Sequence, residues 1–151
     1  MKARTKNQAR VKAAVEELMP ALARLKKEIH DHPETSLNEH RASGLLCQFL
    51  SSQGFRVERG LAGLATSFRA DAGDKKARPR AALLAEYDAL PGIGHACGHS
   101  IIAAAGAGAG AALHRCFPRM PISVIGTMTV LYFLGIVLCH YMPRRKSPFD
   151  D

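Results

Sequence analysis

Thirteen consecutive residues, 101–113, are drawn only from Ala, Gly, Ile and Leu. A helix built from them carries almost no bulk on most of its surface, so neighbouring elements can approach its backbone closely. Small residues of this kind let a helix lie tight against a sheet, and the run is predicted to be such a helix, with Ser100 as its N-cap. Gly106, Gly108 and Gly110 superficially suggest a phosphate loop. The dinucleotide fingerprint needs G-x-G-x-x-G at a strand-to-helix turn, and here neither the spacing nor the context fits.

The chain before this run supplies the sheet. Residues 81–85 form a short continuous apolar stretch, which predicts an interior strand. Residues 55–58 and 66–70 read as strands joined by a turn at 60–63, residues 71–80 as a charged loop, and 121–126 as a further short strand. Upstream, Val11, Ala14, Val15, Leu18, Leu22, Leu25 and Ile29 recur near a period of 3.6. They predict amphipathic helix over 11–19 and 22–29, with Pro20 marking a kink or a break. A polar loop at 30–35 follows. Ser36 and Glu39 then have capping-box spacing and open a helix with Ala42, Leu45, Leu46, Phe49 and Leu50 on one face and Gly54 as its stop. The fold class that results is α/β: helices, then a mixed sheet with the Ala/Gly helix packed against it.

Composition enters where partners are concerned. The net charge of +8 sits mainly at the ends: Lys2, Arg4, Lys6, Arg10 and Lys12 at one, Arg144, Arg145 and Lys146 at the other. No reading motif accompanies them, and aromatic residues make up 6%, so nucleic acid is not an expected partner. The basic ends read as solvated faces or as contacts to an anionic surface. The start lacks the apolar stretch of a secretory signal. Cys47, Cys97, Cys116 and Cys139 form no disulfide framework, so the expected location is the cytoplasm. The alternative is membrane association. The 21 residues of 122–142 contain no Lys, Arg, Asp or Glu, and as helix they would span roughly 31 Å. Val124, Ile125, Thr127, Thr129 and Val130 are β-branched and suit a core strand as well.

Chemistry concentrates in Glu86-Tyr-Asp88-Ala-Leu-Pro-Gly-Ile-Gly-His95-Ala-Cys97-Gly-His99, directly after the strand at 81–85. Reactive groups of α/β folds collect just past strand C-terminal ends. A carboxylate pair, a thiol and two imidazoles form the mixed donor set that zinc takes. Cys97 and His99 would diverge on a helix but can face one ion from extended or loop backbone, and Gly98 between them permits a tight approach. A Cys nucleophile with a His base is the other chemistry these residues admit, and nothing in the segment identifies the third orienting group it needs.

The wording from Leu83 to His99 resembles the metal-site signature of the M-twenty metallopeptidase family, which includes aminoacylases, glutamate-releasing carboxypeptidases and amidohydrolases of N-acyl amino acids. Other segments agree in order: Ile29-His-Asp-His-Pro-Glu34, Glu39-His-Arg-Ala, Gly54-Phe, residues 60–70, and the Ala/Gly helix. The likeness runs over about residues 14–127 and is greatest to the amidohydrolase and β-alanyl-lysine-type dipeptidase branch. It implies an incomplete mixed-sheet catalytic domain of a zinc-peptidase-like fold. It implies that Cys97 and His99 are metal ligands and that Asp88 serves the catalytic site by supporting them. Glu86 takes the place of a His ligand in the carboxypeptidase branch. In the amidohydrolase branch that position is acidic and not usually a ligand, so Glu86 stands outside the expected metal set. His95 is expected beside the ligands rather than among them, and Ser100 departs from the more usual Asn or Asp.

The implied reaction is hydrolysis of an amide or peptide bond in an N-acyl amino acid or dipeptide, with zinc or manganese activating water and a Glu as general base. That Glu belongs to a Gly-Thr-Pro-Ala-Glu-Glu segment after a strand. Here the strand is Ile122-Ser-Val-Ile-Gly-Thr127, Met128-Thr-Val-Leu-Tyr-Phe follows, and the only later acids are Asp150 and Asp151. The expected organisation is therefore a basic segment 1–12, the N-terminal part of an amidohydrolase catalytic domain over 13–127, and a divergent hydrophobic and basic tail over 128–151. Two readings stay open. One is a metal-dependent hydrolase whose chain is truncated and inactive alone. The other is a non-catalytic product, tethered to a membrane through 122–142 or associating with a second copy or a full-length relative.

Overall fold

The computed structural model describes residues 2–126, which form helices α1 (Lys2–Asp31), α2 (His40–Ser52) and α3 (His99–Cys116) and strands β1 (Arg56–Arg59), β2 (Phe68–Ala72), β3 (Ala81–Leu84) and β4 (Ile122–Gly126). The sheet order is β1-β2-β4-β3. β1 and β4 run antiparallel to β2, and β3 runs parallel to β4. The α/β expectation therefore holds, with a mixed sheet and helices on it.

Side-chain alternation sorts the sheet into two faces. Phe68 and Ala70 of β2 and Ile122 and Val124 of β4 are fully buried beneath the helices, in one cluster with Ile29, Leu46, Leu50 and Phe55. The opposite face carries the ion pairs of Arg69 with Glu58 (2.8 Å) and Asp71 (3.1 Å), and Ser123 donates to Asp71 at 2.7 Å. Residues 81–85 were expected to be an interior strand. Among the described residues β3 is instead an edge of the sheet, alternately half-buried and exposed, and Leu84 keeps 43% of its surface open. A continuous apolar run cannot by itself report which strand lies beside it.

The Ala/Gly run is explained by what flanks it. A Cβ on Gly106 would stand 2.3 Å from the Leu84 carbonyl oxygen, one on Gly110 would stand 2.5 Å from Val124 Cγ2, and one on Gly108 would stand 2.5 Å from Leu22 Cδ1. α3 is thus pressed between the sheet and α1, and it needs small residues on both sides. Ser100 is not its N-cap. Gly98, at φ +83°, ends a tight turn and caps the helix, and Ser100 is buried in the first turn.

Pro20 does not break α1, which runs through it. The missing N–H costs one hydrogen bond, but Leu18, Leu22, Leu25 and Ile29 are buried on both sides of it, and that packing sets the helix. Residues 2–12 of the basic segment belong to α1. Arg10 donates to the Cys116 carbonyl at 2.8 Å and lies over the Phe117 ring.

α2 also starts differently from its expected capping box. Its N-cap is Glu39, which makes no side-chain cap bond. The first-turn amides of Arg41 and Ala42 donate to the carboxylate of Glu34 at 3.0 and 2.8 Å. Glu39 is buried and accepts from the Thr66 hydroxyl at 2.7 Å. Gly54 does take the helix-stop position, at φ +86°, with the Phe55 amide returning to the Leu50 carbonyl.

β4 is paired along its length with β2 and β3, so the first five residues of the expected membrane span are sheet. Their β-branched side chains fill a core that a helix there would leave open. No helix among the described residues is long and apolar enough to cross a membrane. Residues 127–142 of that expected span, and the rest of the tail to 151 with His140, lie outside the described residues.

Candidate metal centre

The connection between β3 and α3 is short, extended at first, and pinned by one aromatic side chain. Tyr87 is buried, stacks on Phe68 with ring centroids 5.9 Å apart, and donates to the carbonyls of Thr66 (2.7 Å) and Gly126 (3.1 Å). Burial pushes its hydroxyl well above the ordinary tyrosine range, with the Glu39 carboxylate adding to the effect. In extended backbone, neighbours on either side of a buried residue point the other way. Glu86 and Asp88 accordingly share one side.

The rest of the connection folds back toward them. The Ala89 amide donates to the Glu34 carbonyl at 2.7 Å, and Leu90 and Gly94 exchange backbone bonds at 2.9 and 3.0 Å. A single tight turn, His95–Cys97, leads through Gly98 into α3. His99, the first residue of that helix, is thereby returned to Asp88.

The His99 ring has a carboxylate at each nitrogen. Nδ1 lies 2.8 Å from Asp88 Oδ1 and 3.0 Å from the Asp88 carbonyl oxygen, and Nε2 lies 3.2 Å from Glu86 Oε2. The side chains of Glu86, Asp88 and His99 are each about a fifth exposed, at 19%, 21% and 19%. The second Asp88 oxygen accepts from the Ser36 hydroxyl at 2.7 Å. Cys97 Sγ is 3.8 Å from the same Asp88 carbonyl. The structure therefore brings Asp88, Cys97 and His99 into one loop.

His95 lies apart from this group. It is buried, its ring stacks on His30 of α1 with centroids 6.1 Å apart, and burial makes its protonation harder than usual. His114 sits at the far end of α3 against Phe55, about 22 Å of helix from His99. Two contributors had escaped the sequence reading. Tyr87 was signalled by the acid-aromatic-acid alternation of 86–88. Ser36 had no signal, because it is far from Asp88 along the chain.

The donors suit a divalent ion chemically: a thiol sulfur, an imidazole nitrogen oriented by a carboxylate, and carboxylate oxygens. Among the described residues, however, no three His, Cys, Asp or Glu side chains close around a single point. What is present is a partial set.

This is an α/β domain with a cluster of ligand-type side chains past a strand end, and comparison with known proteins narrows the class. No family model matches the chain. It is 37% identical over 128 residues to the Xaa-Arg dipeptidase of Mus musculus, covering 75% of this chain and 30% of that protein. It is 34% identical over 105 residues to a p-aminobenzoyl-glutamate hydrolase chain of Escherichia coli, covering 58% of this chain and 21% of that protein. Among solved structures it is similar to a dinuclear metal-binding peptidase from the M-twenty family of Bacillus subtilis, with a TM-score of 0.61, 22% identity, and 74% of this chain on 35% of that one. An aminobenzoyl-glutamate utilization protein from Klebsiella pneumoniae gives a TM-score of 0.58 at 17% identity, with 77% of this chain on 38% of that one.

The fold is that of the M-twenty peptidases, and the chain is a relative of that family. It spans about 30% of the length of the two dipeptidases it matches.

Proposed function

We propose that this chain carries part of the metal centre of a divalent-metal amide hydrolase acting on dipeptides or N-acyl amino acids, with Cys97 and His99 as ligands. The single observation that carries this is the grip of Asp88 on His99. Asp88 Oδ1 at Nδ1 fixes the plane of the ring, which aims Nε2 to the side of the loop where Glu86 lies. Ser36 holds the other Asp88 oxygen and fixes the carboxylate plane. Asp88 is in this reading a positioning residue for the ligand. A bound zinc or manganese ion would make water acidic enough to attack and would polarise the scissile carbonyl.

The general base of such a reaction is missing from the expected place, since Thr127 is followed by Met128 and Thr129 rather than by a Glu pair. The chain alone is therefore proposed to bind metal without turnover. Metal analysis of the purified chain beside Cys97→Ala/His99→Ala tests this. A divalent ion present in the parent and absent from the double variant supports it, and no ion in either refutes it. Assays with Xaa-Arg and β-alanyl dipeptides test the claim of inactivity.

A second reading is favoured by the edge position of β3. Its outer backbone groups have no partner strand among the described residues, and Leu84 is exposed beside them. Such an edge pairs with another chain, so the protein would act by association with a second copy or a longer relative in the cytoplasm. A concentration-independent monomer in sedimentation would count against it. Membrane attachment through 127–142 would appear as extraction by detergent and not by salt.

A further inference from the structure

We infer that the first turns of α1, with the residue that follows α3, form a docking groove for an acidic segment of a partner protein. The segment offers one bulky apolar side chain between carboxylates.

The groove comes from a mismatch in helix length. The buried stripe of α1 runs back from Ile29 through Leu25, Leu22, Leu18 and Ala14 to the half-buried Val11. One turn further back the same stripe holds Asn7 and Gln8, and the turn before that holds Arg4. The helix they would pack on, α3, has by then ended at Cys116. Residues 2–10 thus carry α1 on by roughly 13 Å, and residues 4–10 are all exposed. Arg4, Asn7, Gln8, Val11, Lys12 and Phe117 line an open groove of about 770 Å³ there, room for a large side chain and its neighbours.

Its floor is apolar and its rim is basic. Val11 and Phe117 are half-buried and form the floor. Arg10 fixes the Phe117 end, donating to the Cys116 carbonyl at 2.8 Å and lying 5.7 Å from the ring centroid. Arg4 and Lys12 stand at the rim, and no carboxylate lines the groove. Among the described residues Arg4 and Lys6 have no ion-pair partner. Lys12 reaches Glu16 at 3.8 Å in an exposed pair that contributes little, and Glu17 is held by Arg115 at 3.3 Å. The first turn of α1 has no acid, so the helix dipole adds to the positive potential instead of being offset. An anionic partner relieves both the repulsion among these cations and their conflict with the dipole.

The shape selects among anions. Arg4 and Lys12 are separated by about 12 Å along the helix, which an extended peptide spans in about four residues. Carboxylates at both ends of that span leave an apolar side chain between them, over Val11 and Phe117. A lipid surface instead takes up apolar side chains that protrude, and no large apolar side chain of residues 4–12 is exposed. Nucleic-acid bases stack on open aromatic faces, whereas Arg10 lies over the Phe117 ring. The groove is also separate from the metal centre. It lies roughly 30 Å along α1 from His30, which stacks on His95.

Binding of a labelled Asp-Asp-Phe-Asp-Asp peptide to the full chain, followed by fluorescence anisotropy, tests this. The variants are Arg4→Glu/Lys12→Glu at the groove and Lys75→Glu/Lys76→Glu on the loop between β2 and β3, each checked for folding by circular dichroism. Both replace exposed side chains and change the net charge equally. The groove variant is expected to bind at least about tenfold more weakly than the parent and the loop variant like the parent. A peptide with Ser in place of Phe is expected to lose at least about tenfold on the parent. No binding of the Phe peptide up to about 1 mM protein overturns the inference. Equal losses in the two variants would trace the attraction to net charge, and equal binding of the Ser peptide would show the floor unused; either result also overturns it. Phosphatidylserine vesicles or a single-stranded DNA oligonucleotide bound in preference to the peptide would assign the basic turns to that polyanion and refute the acidic-segment reading.

Discussion

Replacing Gly106 with Ala in α3 sets two opposing effects against each other. In an ordinary helix interior the change is favourable by about 1 kcal/mol. Here the new Cβ would stand 2.3 Å from the Leu84 carbonyl oxygen and 3.2 Å from its carbon. Both are backbone atoms of a paired strand, so neither can swing aside as a side-chain tip can. Restoring an ordinary contact of about 3.4 Å requires α3 and β3 to separate by roughly 1 Å, and overpacking of this kind costs about 1–3 kcal/mol. Rigid backbone places the cost at the upper end. Subtracting the helix gain leaves a loss of about 2 kcal/mol, or a melting temperature roughly 4–8 °C lower for a chain of this size. The control is Gly44→Ala in α2, where nothing lies within 4 Å and the propensity gain of about 0.5–1 kcal/mol should appear in full. Gly108→Ala meets only the flexible tip of Leu22 and should fall between. Urea unfolding followed by far-UV circular dichroism gives all three. A Gly106→Ala protein as stable as the parent, beside a stabilised Gly44→Ala, would refute the close approach of α3 to β3.

Asp88→Ala should lower zinc affinity by about 10–100-fold, because the ring of His99 loses its orienting acceptor; unchanged affinity would show that Asp88 does not position it. Glu34→Ala should destabilise the protein by about 1–2 kcal/mol in urea unfolding, since the first-turn amides of α2 lose their carboxylate; a neutral result would mean that water caps them equally well. Tyr87→Phe should cost about 1–3 kcal/mol by stranding two buried carbonyls. The same variant has a pH signature. The folded-state pKa of Tyr87 is raised, so above about pH 10 the unfolded chain releases a proton that the folded one retains, and parent stability falls as pH rises. Unfolding titrations from pH 8 to 11 should show that loss reduced in Tyr87→Phe, and parallel curves would contradict it.

What the sequence made legible was local. The strand, the loop rich in ligand-type residues and the small-residue helix follow one another directly, so periodicity and spacing were enough to predict them and to group Asp88, Cys97 and His99. The misplaced features were decided at long range. The start of α2 depends on Glu34, which is itself held by the Ala89 amide, and the capping-box spacing of Ser36 and Glu39 could not show that Ser36 turns to Asp88 and Glu39 to Thr66. Pro20 reads as a breaker until α3 is seen to bury residues on both sides of it. The edge position of β3 follows from strand order, which a run of apolar residues does not encode. Glu86 was set aside because of the branch its segment resembles, whereas its contact with His99 comes from the inward anchoring of Tyr87.

The strand order also has a consequence in time. β2 pairs with β1, but β3 shares no edge with either and is joined to them only through β4, the last described element. A chain leaving the ribosome can form α1 and α2 early, but β3 has no strand to pair with until residue 126 has emerged. At about 5–20 residues per second that wait is roughly 2–8 s after residue 84. During it, the loop holding Cys97 and His99 lacks the Gly126 carbonyl that helps anchor Tyr87. The proposed ligands are thus synthesised before the strand that helps hold them in place, and any early cation would meet them on an unfinished sheet.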